Sequence, residues 1–300
     1  MWQQVRAHGP HRREHLSATV TLVKADAFEW LQRLPPCSLH AIVTDPPYGL
    51  IEYAARDHRK LRTGRGGVWR IPPQLDGVRR KPLPRFTVLS PAELAALSEF
   101  FTGLGTALHR VLVPGAHVFV ASNPLLSTLT FHALQRAGFE KRGEVVRLVQ
   151  TLRGGDRPKG AEAEFPDVSV MARSGWEPWG IFRKPTEGTV AANLKRWGTG
   201  GLRRVSNQAP FKDVIASAPT GRAERAIAAH PSLKPQAFLR QLVRAALPLG
   251  AGIVYDPFAG SGSTLAAAQA VGYHAIGTER DAQYYRMGCR AFGKLAGLKV

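Results

Sequence analysis

Short apolar runs alternate along the chain with longer segments in which apolar residues recur every three or four positions. The first pattern predicts buried strands and the second amphipathic helices. Strands are predicted at 19–23, 39–44, 116–121, 144–152, 180–182, 253–255 and 275–278. Helices are predicted at 27–31, 90–108, 125–137, 235–247 and 264–271. Strands separated by helices indicate parallel βαβ units, so we expect an α/β fold with an open, doubly wound, mostly parallel sheet.

Two stretches interrupt this alternation. Residues 56–85 contain ten Lys and Arg against two Asp, with many Gly and Pro, and residues 186–228 are similarly basic and irregular. Basic side chains interleaved with Trp69 and Trp197 favour contacts with a nucleic-acid backbone over a merely solvated loop. We therefore expect a loose basic tail over 1–18 and one domain over 19–300 that contains both stretches.

The charge balance narrows the kind of partner. The chain has 41 Lys and Arg against 22 Asp and Glu, which gives a net charge of +19 and a pI near 10.8. Such a balance favours a partner that carries phosphates, above all nucleic acid. A basic surface without a partner and a protein bound to a membrane surface are the alternatives that charge alone leaves open.

The sequence shows none of the usual features of a membrane-spanning, secreted or zinc-binding protein. The sequence contains no apolar run of roughly 18 residues that could span a bilayer, and its first residues are basic and polar. Cys37 and Cys289 are too few for a disulfide framework or a zinc site, which suits a reducing compartment. We expect a soluble cytoplasmic protein with no membrane partner and no metal.

A glycine-rich turn lies in the stretch VYDPFAGSGSTLAAAQAVGYHAIGTER, residues 254–280. Its order is strand, glycine turn, small-residue helix, strand and acid. Gly260 and Gly262 allow a sharp turn and close approach of a ligand, and Glu279 is placed to bind both hydroxyls of a ribose. Leu265 replaces the third glycine of a dinucleotide motif, so an adenosine-bearing cofactor is indicated without a phosphate site. A structural turn without a ligand is the alternative.

The stretch TDPPYG, residues 44–49, follows the apolar run 41–43. The lone pair of an exocyclic amine is delocalised into its base, which makes the amine a poor nucleophile. If the Asp45 carboxylate and the Pro46 carbonyl each accept one N–H, the nitrogen is drawn toward tetrahedral geometry. Tyr48 could stack on a base lifted out of a duplex, and the prolines fix the loop. A stiff turn that only ends a strand is the alternative.

The two motifs together resemble those of the amino-group DNA methyltransferases that use S-adenosylmethionine. Asp45-Pro46-Pro47-Tyr48 matches their catalytic motif, and Phe258-Ala259-Gly260-Ser261-Gly262 matches their cofactor loop. Because the catalytic motif comes first, the chain resembles the circularly permuted beta class, and the resemblance covers most of residues 20–295. It implies a Rossmann-like methyltransferase fold with basic loop insertions.

The resemblance also implies residue roles. The implied catalytic residues are Asp45, Pro46, Pro47 and Tyr48. Asp26 and Ala27 would meet the cofactor adenine, Glu279 its ribose and Lys234 its carboxylate. The remaining implied cofactor contacts are Asp45, Phe258, Ala259, Gly260, Ser261, Gly262, Thr264 and Arg280. Residues 186–228 would recognise the target, and the 56–85 insertion would close over the DNA.

We therefore expect a site-specific enzyme that transfers the methyl group of S-adenosyl-L-methionine to the N6 amine of an adenine flipped out of double-stranded DNA. Transfer to cytosine N4 is the first alternative, and an RNA or protein-glutamine methyltransferase is less favoured. A nicotinamide enzyme would leave the Asp45-Pro46-Pro47-Tyr48 motif and the charge unexplained. A non-catalytic DNA-binding module would retain every function in Asp45→Ala, whereas we expect that variant to lose methylation. A homodimer and a cognate restriction endonuclease remain open as further partners.

Overall fold

The computed structural model describes residues 1–49, 74–75, 78–79, 89–149, 155, 157–158, 160–230 and 232–300, so most of the 56–85 insertion lies outside the described residues. The strands are β1 (Arg13–His15), β2 (Val20–Val23), β3 (Leu39–Thr44), β4 (Gln74–Leu75), β5 (Val78–Arg79), β6 (Leu112–Ala121), β7 (Glu140–Leu148), β8 (Trp176–Arg183), β9 (Val214–Ala216), β10 (Ile253–Asp256) and β11 (His274–Thr278). The helices are α1 (Trp2–Arg6), α2 (Ala27–Arg33), α3 (Pro91–Val111), α4 (Ser127–Arg136), α5 (Val190–Trp197), α6 (Arg222–Ile227), α7 (Gln236–Ala246), α8 (Ser263–Ala270) and α9 (Ala282–Ala296). Within these ranges, no helix combines the length and apolar character that a membrane crossing needs.

The described strands build one large sheet in the order β1-β2-β11-β10-β3-β6-β8-β7-β9, and β4 pairs with β5 separately. In this sheet β2, β11, β10, β3 and β6 are mutually parallel. The antiparallel pairs of the same sheet are β1 with β2, β6 with β8 and β8 with β7. This architecture confirms the predicted α/β fold with a mostly parallel, Rossmann-like sheet.

The central strands are apolar on both faces because helices cover both sides. Ala41 and Val43 of β3 pack in one buried cluster, whereas Ile42 between them packs in the other. Helices α7, α8 and α9 contribute to the first cluster, and α2, α3 and α4 to the second. A strand buried on both faces carries a continuous apolar run, as the sequence shows here.

Helix α3 begins as predicted and extends three residues past the predicted end at 108, to Val111. The Ser90 side chain accepts from the backbone N–H of Glu93, and the Glu93 side chain accepts from the N–H of Ser90, which completes a capping box. Strand β6 starts at Leu112, four residues before the predicted start at 116, and contains Pro114 and Gly115. Pro114 lies between Leu112 and His117, in a part of β6 without a paired residue in β3 or β8, so its missing N–H removes no ladder bond.

The first 18 residues are not the loose tail that we expected. Strand β1 pairs with β2, with Arg13 opposite Val23, and extends the sheet by one strand. Val5 is 2% exposed, and the Trp2 ring lies 4.6 Å from the His274 ring. Burial of these side chains outweighs the polar composition of the segment.

The basic stretch 186–228 is divided between the two ends of the sheet. Asn193 of α5 and Thr199 donate to the carbonyl of Pro114, at the start of β6. Residues 214–216 instead pair with the last residues of β7, at the opposite end. Asp45 directly follows Thr44, the last residue of β3, and Thr44 pairs with Val120 near the carboxyl end of β6. Seven residues of strand separate Pro114 from that end, so α5 is roughly 20 Å from Asp45. The predicted recognition region over 186–228 is therefore not one compact unit, and its role in recognition stays a prediction.

The ribbon of β7 and β8 also differs from the prediction. Strand β7 covers 140–148 rather than 144–152, and β8 covers 176–183 rather than 180–182 alone. The two strands pair over their full length, which extends β8 through Glu177 and Pro178, two residue types that are depleted in strands. The connection 149–175 therefore leaves and re-enters the sheet at the Asp45 end.

Gly105 lets α3 pack closely against α4, and this gives a stability prediction. A Cβ at Gly105 would lie 2.6 Å from the Ala137 Cβ. We expect Gly105→Ala to lower the free energy of unfolding by about 1–3 kcal/mol, because overpacking outweighs the gain in helix propensity. Urea unfolding measures the change. Gly293→Ala in α9, where nothing lies within 4 Å, is the matched control and should raise stability by up to about 1 kcal/mol. Equal effects of the two substitutions would contradict the packing argument.

Candidate active site

Strands β3 and β10 lie side by side at the point where the chain changes direction across the sheet. Ala41 of β3 pairs with Val254 of β10 in parallel register. In the sheet, β6 is the other neighbour of β3, and β11 is the other neighbour of β10, so the sheet continues in opposite directions from this pair. Ligands of open α/β sheets bind at such a switch point, outside the carboxyl ends of the strands. Both motifs, residues 45–48 and 258–262, begin there.

A buried hydrogen bond joins the two strand ends. The Thr44 hydroxyl donates to Asp256 Oδ1 over 2.7 Å, and the Phe258 N–H donates to the same oxygen over 3.0 Å. Burial raises the pKa of Asp256 to about 6, although the hydrogen bond from Thr44 opposes the shift. The Asp256 carboxyl therefore fixes the start of the glycine loop to the catalytic strand.

The acidic and glycine residues predicted for the cofactor form a row. Asp26 follows β2, Glu279 follows β11 and Gly260 follows β10, and these three strands are neighbours in the sheet. With β3 as the fourth strand, the row from Asp26 to Asp45 covers three strand spacings, about 14 Å. An elongated ligand can thus contact all four strand ends at once.

Glu279 and the glycine loop are bonded to each other. The Gly260 N–H donates to Glu279 Oε2 over 2.9 Å, and the Asp281 N–H donates to Oε1 over 2.6 Å. Burial raises the pKa of Glu279 while these two N–H groups oppose the shift. Each carboxylate oxygen has a second lone pair, so both oxygens can still accept from the hydroxyls of a sugar.

His230 packs directly over the glycine loop. Gly260 has φ 51°, and a Cβ there would lie 3.0 Å from His230 Nε2, so a side chain at this position would be strained and crowded. His230 Nδ1 accepts from the Ser232 N–H, which places the ring hydrogen on Nε2. Burial lowers the pKa of His230 to about 4, and Lys234 adds to the shift, so the ring is neutral at pH 7.

Asp45 lies in a polar pocket beside Lys234. Lys234 Nζ donates to Asp45 Oδ2 over 2.5 Å and to the Tyr48 hydroxyl over 3.4 Å. Asp45 Oδ1 is buried and has no hydrogen-bond partner among the described residues. A buried acceptor without a partner costs free energy, and such atoms are typical of functional sites. This oxygen can accept one N–H of an incoming group.

A second carboxylate and a second cation continue the pocket. Lys234 Nζ lies 3.7 Å from Glu177 Oε2, and Arg147 Nη1 lies 3.4 Å from Glu177 Oε1. The Trp179 indole N–H donates to Glu177 Oε1 over 2.7 Å. Neither Glu177 nor Arg147 was among the predicted site residues. The signal that could have identified them is the direct opposition of an acid and a base in adjacent strands, which depends on a register that the sequence alone does not reveal.

The two carboxylates share the Lys234 ammonium group but titrate differently, because Glu177 has a second cation, Arg147, beside it. Burial raises the pKa of Asp45, and the negative charge of Glu177 adds to this, although Lys234 opposes it. Burial also acts upward on Glu177, but Lys234 and Arg147 together outweigh it and lower the pKa of that carboxyl. Glu177 is therefore the firmly ionised member of the pair.

The predicted site residues fall into two neighbouring groups. Asp45, Tyr48 and Lys234 are in mutual contact, and the glycine loop contacts Glu279. Lys234 is thus paired with the Asp45 carboxylate. Its expected contact with a cofactor carboxylate stays a prediction. Ala27, Pro46, Ala259, Ser261 and Thr264 are buried around these groups, Pro47 and Phe258 are half-buried, and Arg280 is largely exposed beside Asp26.

The arrangement is that of an α/β enzyme in which a glycine loop lies next to a buried carboxylate oxygen that has no partner among the described residues. The chain belongs to the DNA methylase family N6_N4_Mtase, whose model matches residues 39–290. It is an S-adenosylmethionine-dependent DNA methyltransferase.

Relatives and solved structures support this family over nearly the whole chain. The type II methyltransferase M.HindIII of Haemophilus influenzae is 25% identical over 309 residues, covering 91% of this chain and 94% of that protein. The DNA adenine methyltransferase YhdJ of Escherichia coli is 46% identical over 61 residues, 20% of each protein.

Two crystal structures share the fold. The M1.HpyAVI–SAM complex has a TM-score of 0.56 and 16% identity, covering 93% of this chain and all of that one. The cytosine-N4-specific PvuII DNA methyltransferase has a TM-score of 0.58 and 14% identity, covering 92% of this chain and 87% of that one. At these identities the likeness concerns the fold alone.

The buried Asp256 carboxyl predicts a pH dependence of stability. Because its pKa of about 6 in the folded protein lies above its ordinary 3.8, the unfolded chain ionises first, and stability is lost as pH rises from about 4 through 6. Asp256→Asn keeps the acceptor for Thr44 and does not titrate. We expect wild type to lose on the order of 3 kcal/mol relative to this variant over that interval. Urea unfolding at several pH values tests this, and parallel curves for the two proteins would contradict it.

Proposed function

We propose that the chain methylates the N6 amine of adenine at a specific site in double-stranded DNA, with the base extruded into the pocket at Asp45. The observation that carries the proposal is Asp45 Oδ1, a buried acceptor that no described residue satisfies, beside the cofactor loop and on the catalytic motif. An exocyclic amine supplies the N–H that this atom lacks. The same group becomes the nucleophile of the reaction.

The residues around Asp45 would prepare that amine for attack. Asp45 Oδ1 accepts one N–H, and the Pro46 carbonyl is proposed to accept the other, which localises the nitrogen lone pair toward the methyl donor. In a direct displacement the nitrogen forms the new N–C bond, the S–C bond breaks with its electrons on sulfur, and the nitrogen then loses one proton. The charge that develops on nitrogen is stabilised by the Asp45 carboxylate.

The loop that carries Asp45 is suited to hold a flat base. Two consecutive prolines fix its φ angles, so the acceptors are positioned before a substrate arrives. The Tyr48 ring is half-exposed, and Lys234 Nζ lies 5.6 Å from its centroid, so one part of the ring meets a cation. We propose that Tyr48 stacks on the extruded base.

The residues near the glycine loop fit the methyl donor. When bound, S-adenosylmethionine supplies an electrophilic methyl group. Asp26 and Glu279 are proposed to bind its adenosine part, because they lie at neighbouring strand ends and present carboxylate oxygens to hydroxyl and amino donors. Gly260 and Gly262, with φ 51° and 80°, allow the backbone to turn closely around a ligand.

Duplex DNA is proposed to approach the Asp45 end of the sheet. Three connections emerge there: the one after β3 that includes 56–85, the one between β7 and β8 at 149–175, and the turn after β9. Arg196 and Trp197 of α5 lie at the other end of the sheet and are not included in this proposed DNA-binding surface. The chain's charge of +19 favours binding to the phosphate backbone.

The cellular setting is proposed from the relatives. M.HindIII is named a type II methyltransferase, which supports a role in restriction and modification for this chain as well. Cys37 and Cys289 are both free, which is compatible with a reducing cytoplasm.

Adenine is the favoured base. An Asp at the first position of the catalytic motif favours adenine in the resembled family, and YhdJ is named an adenine methyltransferase. Cytosine N4 is the competing target, since PvuII methyltransferase has a similar fold. Expression in a host that lacks DNA methylation, followed by single-molecule sequencing, should reveal N6-methyladenine in one recurring sequence. N4-methylcytosine in the recurring sequence would replace adenine as the target.

Removing the carboxylate should separate catalysis from cofactor binding. We expect Asp45→Ala to lower the rate constant of methyl transfer by about 100- to 1,000-fold, because it removes the acceptor of the target amine. Binding of S-adenosylmethionine, measured by calorimetry, should change by no more than a few fold.

Asp45→Asn is the matched variant, since it keeps a neutral acceptor at the same place. Its methyl-transfer rate should lie between those of wild type and Asp45→Ala. Full activity of Asp45→Ala would contradict the assignment of this residue.

A further inference from the structure

A buried row of alternating charges extends from Asp45 to the far strands of the sheet. Its order is Asp45, Lys234, Glu177 and Arg147, with successive N to O distances of 2.5, 3.7 and 3.4 Å. Their side chains are 16%, 10%, 14% and 5% exposed. Burial makes each interaction stronger than it would be at the surface, and it also makes an unpaired member costly.

We infer that Glu177 is a positioning residue for methyl transfer. It holds the Lys234 ammonium group in place and partly compensates its positive charge, so that Asp45 remains an effective acceptor for the target amine. The inference rests on the proposed function of Asp45. It adds a residue from outside both sequence motifs to the catalytic machinery.

Glu177 is more firmly held than the lysine that it contacts. It is paired directly with Arg147 across the β7–β8 ladder, and Trp179 Nε1 donates to Glu177 Oε1 over 2.7 Å. Arg147 is anchored in turn, because its side chain donates to the Ser217 hydroxyl and the Ala218 carbonyl. Lys234 instead has a long flexible side chain on the segment before α7. A fixed carboxylate at the end of that side chain restricts where the ammonium group can lie.

Sharing of the ammonium group also affects Asp45 as an acceptor. A cation paired with Asp45 alone would neutralise most of the negative charge that should stabilise the methylated nitrogen. Glu177 draws on the same cation from the other side, and Arg147 balances Glu177. The group of four is therefore neutral as a whole, while Asp45 keeps its ability to accept an N–H.

This arrangement has a definite effect on pH dependence. The titratable groups that act on Asp45 within the described structure are Lys234, Glu177, Tyr48 on its own loop, and Asp256 on β10. Asp45 must be ionised to stabilise the positive charge that develops on the amine nitrogen, so the rate falls as pH drops through the pKa of Asp45. The negative charge of Glu177 raises that pKa, and the positive charge of Lys234 lowers it. Glu177→Gln should thus move the acidic limb of the rate profile to lower pH, and Lys234→Met should move it to higher pH.

The test is a double-mutant cycle on the rate constant of methyl transfer under single-turnover conditions, measured against pH. The proteins are wild type, Glu177→Gln, Lys234→Met and the double variant. We expect Glu177→Gln to slow the step by about 10- to 100-fold, because the ammonium group is no longer fixed. Above the acidic limb of all four proteins, where Asp45 is ionised, the loss in the double variant should not exceed that of Lys234→Met, because Glu177 positions the site only through Lys234.

A matched control is available in the same ladder. Glu140 and Arg183 form another directly opposed cross-strand pair of β7 and β8, with an N to O distance of 2.6 Å, at the end away from Asp45. Glu140→Gln removes the same charge from the same ribbon. It should leave both the rate and the acidic limb unchanged. Thermal unfolding and calorimetric binding of S-adenosylmethionine verify that each variant is folded.

Several outcomes would overturn the inference. These are an unchanged acidic limb in folded Glu177→Gln, multiplying losses in the double variant, or a similar loss in Glu140→Gln. If Glu177→Gln does not fold, Glu177→Asp serves instead, because it keeps the charge but shortens the reach. It should slow transfer while leaving the limb near its wild-type position, and a wild-type rate would then overturn the inference.

Failure of the proposed function would look different. If wild type methylates cytosine rather than adenine, the base assignment fails, yet the cycle can still be measured on the methylated base. If Asp45→Ala is fully active, the role of Asp45 fails directly. Neither result depends on Glu177.

Discussion

The parallel pairing of β3 with β10 is the constraint on which the active site depends. The two motifs are more than 200 residues apart in sequence, and they meet only because these strands are neighbours at the point where the sheet changes direction. The Thr44 to Asp256 hydrogen bond fixes their ends to each other. Helices on both faces bury the pair completely, so the relative position of amine acceptor and cofactor loop is set by the rigid core rather than by the loops.

The site places several ionisable groups in a poorly solvated environment. Asp45, Asp256 and Glu279 lie at or just beyond the carboxyl ends of parallel strands, whereas Glu177 lies at the amino end of the antiparallel strand β8. Burial acts on the pKa of each of the four. Only Glu177 has enough cations around it to be held firmly ionised. Such groups reduce the stability of a fold, and the extensive apolar clusters on both faces of the sheet offset this cost. The different surroundings also give these four carboxyl groups different roles.

The sequence predicts those features that depend on local pattern. The bounds of β3, the cap of α3 and the positions of both motifs follow from apolar runs, capping residues and glycines. Features that depend on long-range pairing do not follow. The tail at 1–18 becomes a strand through contact with β2, and α5 packs at the amino end of β6 although its composition suits a DNA contact. Glu177 and Arg147 enter the site only through the register of β7 with β8.

The central claim is that Asp45 directs a methyl group onto an exocyclic amine of a DNA base. Its most direct test is mass spectrometry of nucleosides from duplex DNA that has been incubated with the purified protein and S-adenosylmethionine deuterated in the methyl group. We predict labelled N6-methyladenine with wild type and its near absence with Asp45→Ala. Label on a ring carbon of cytosine, or label that enters RNA or protein but not DNA, would contradict the claim.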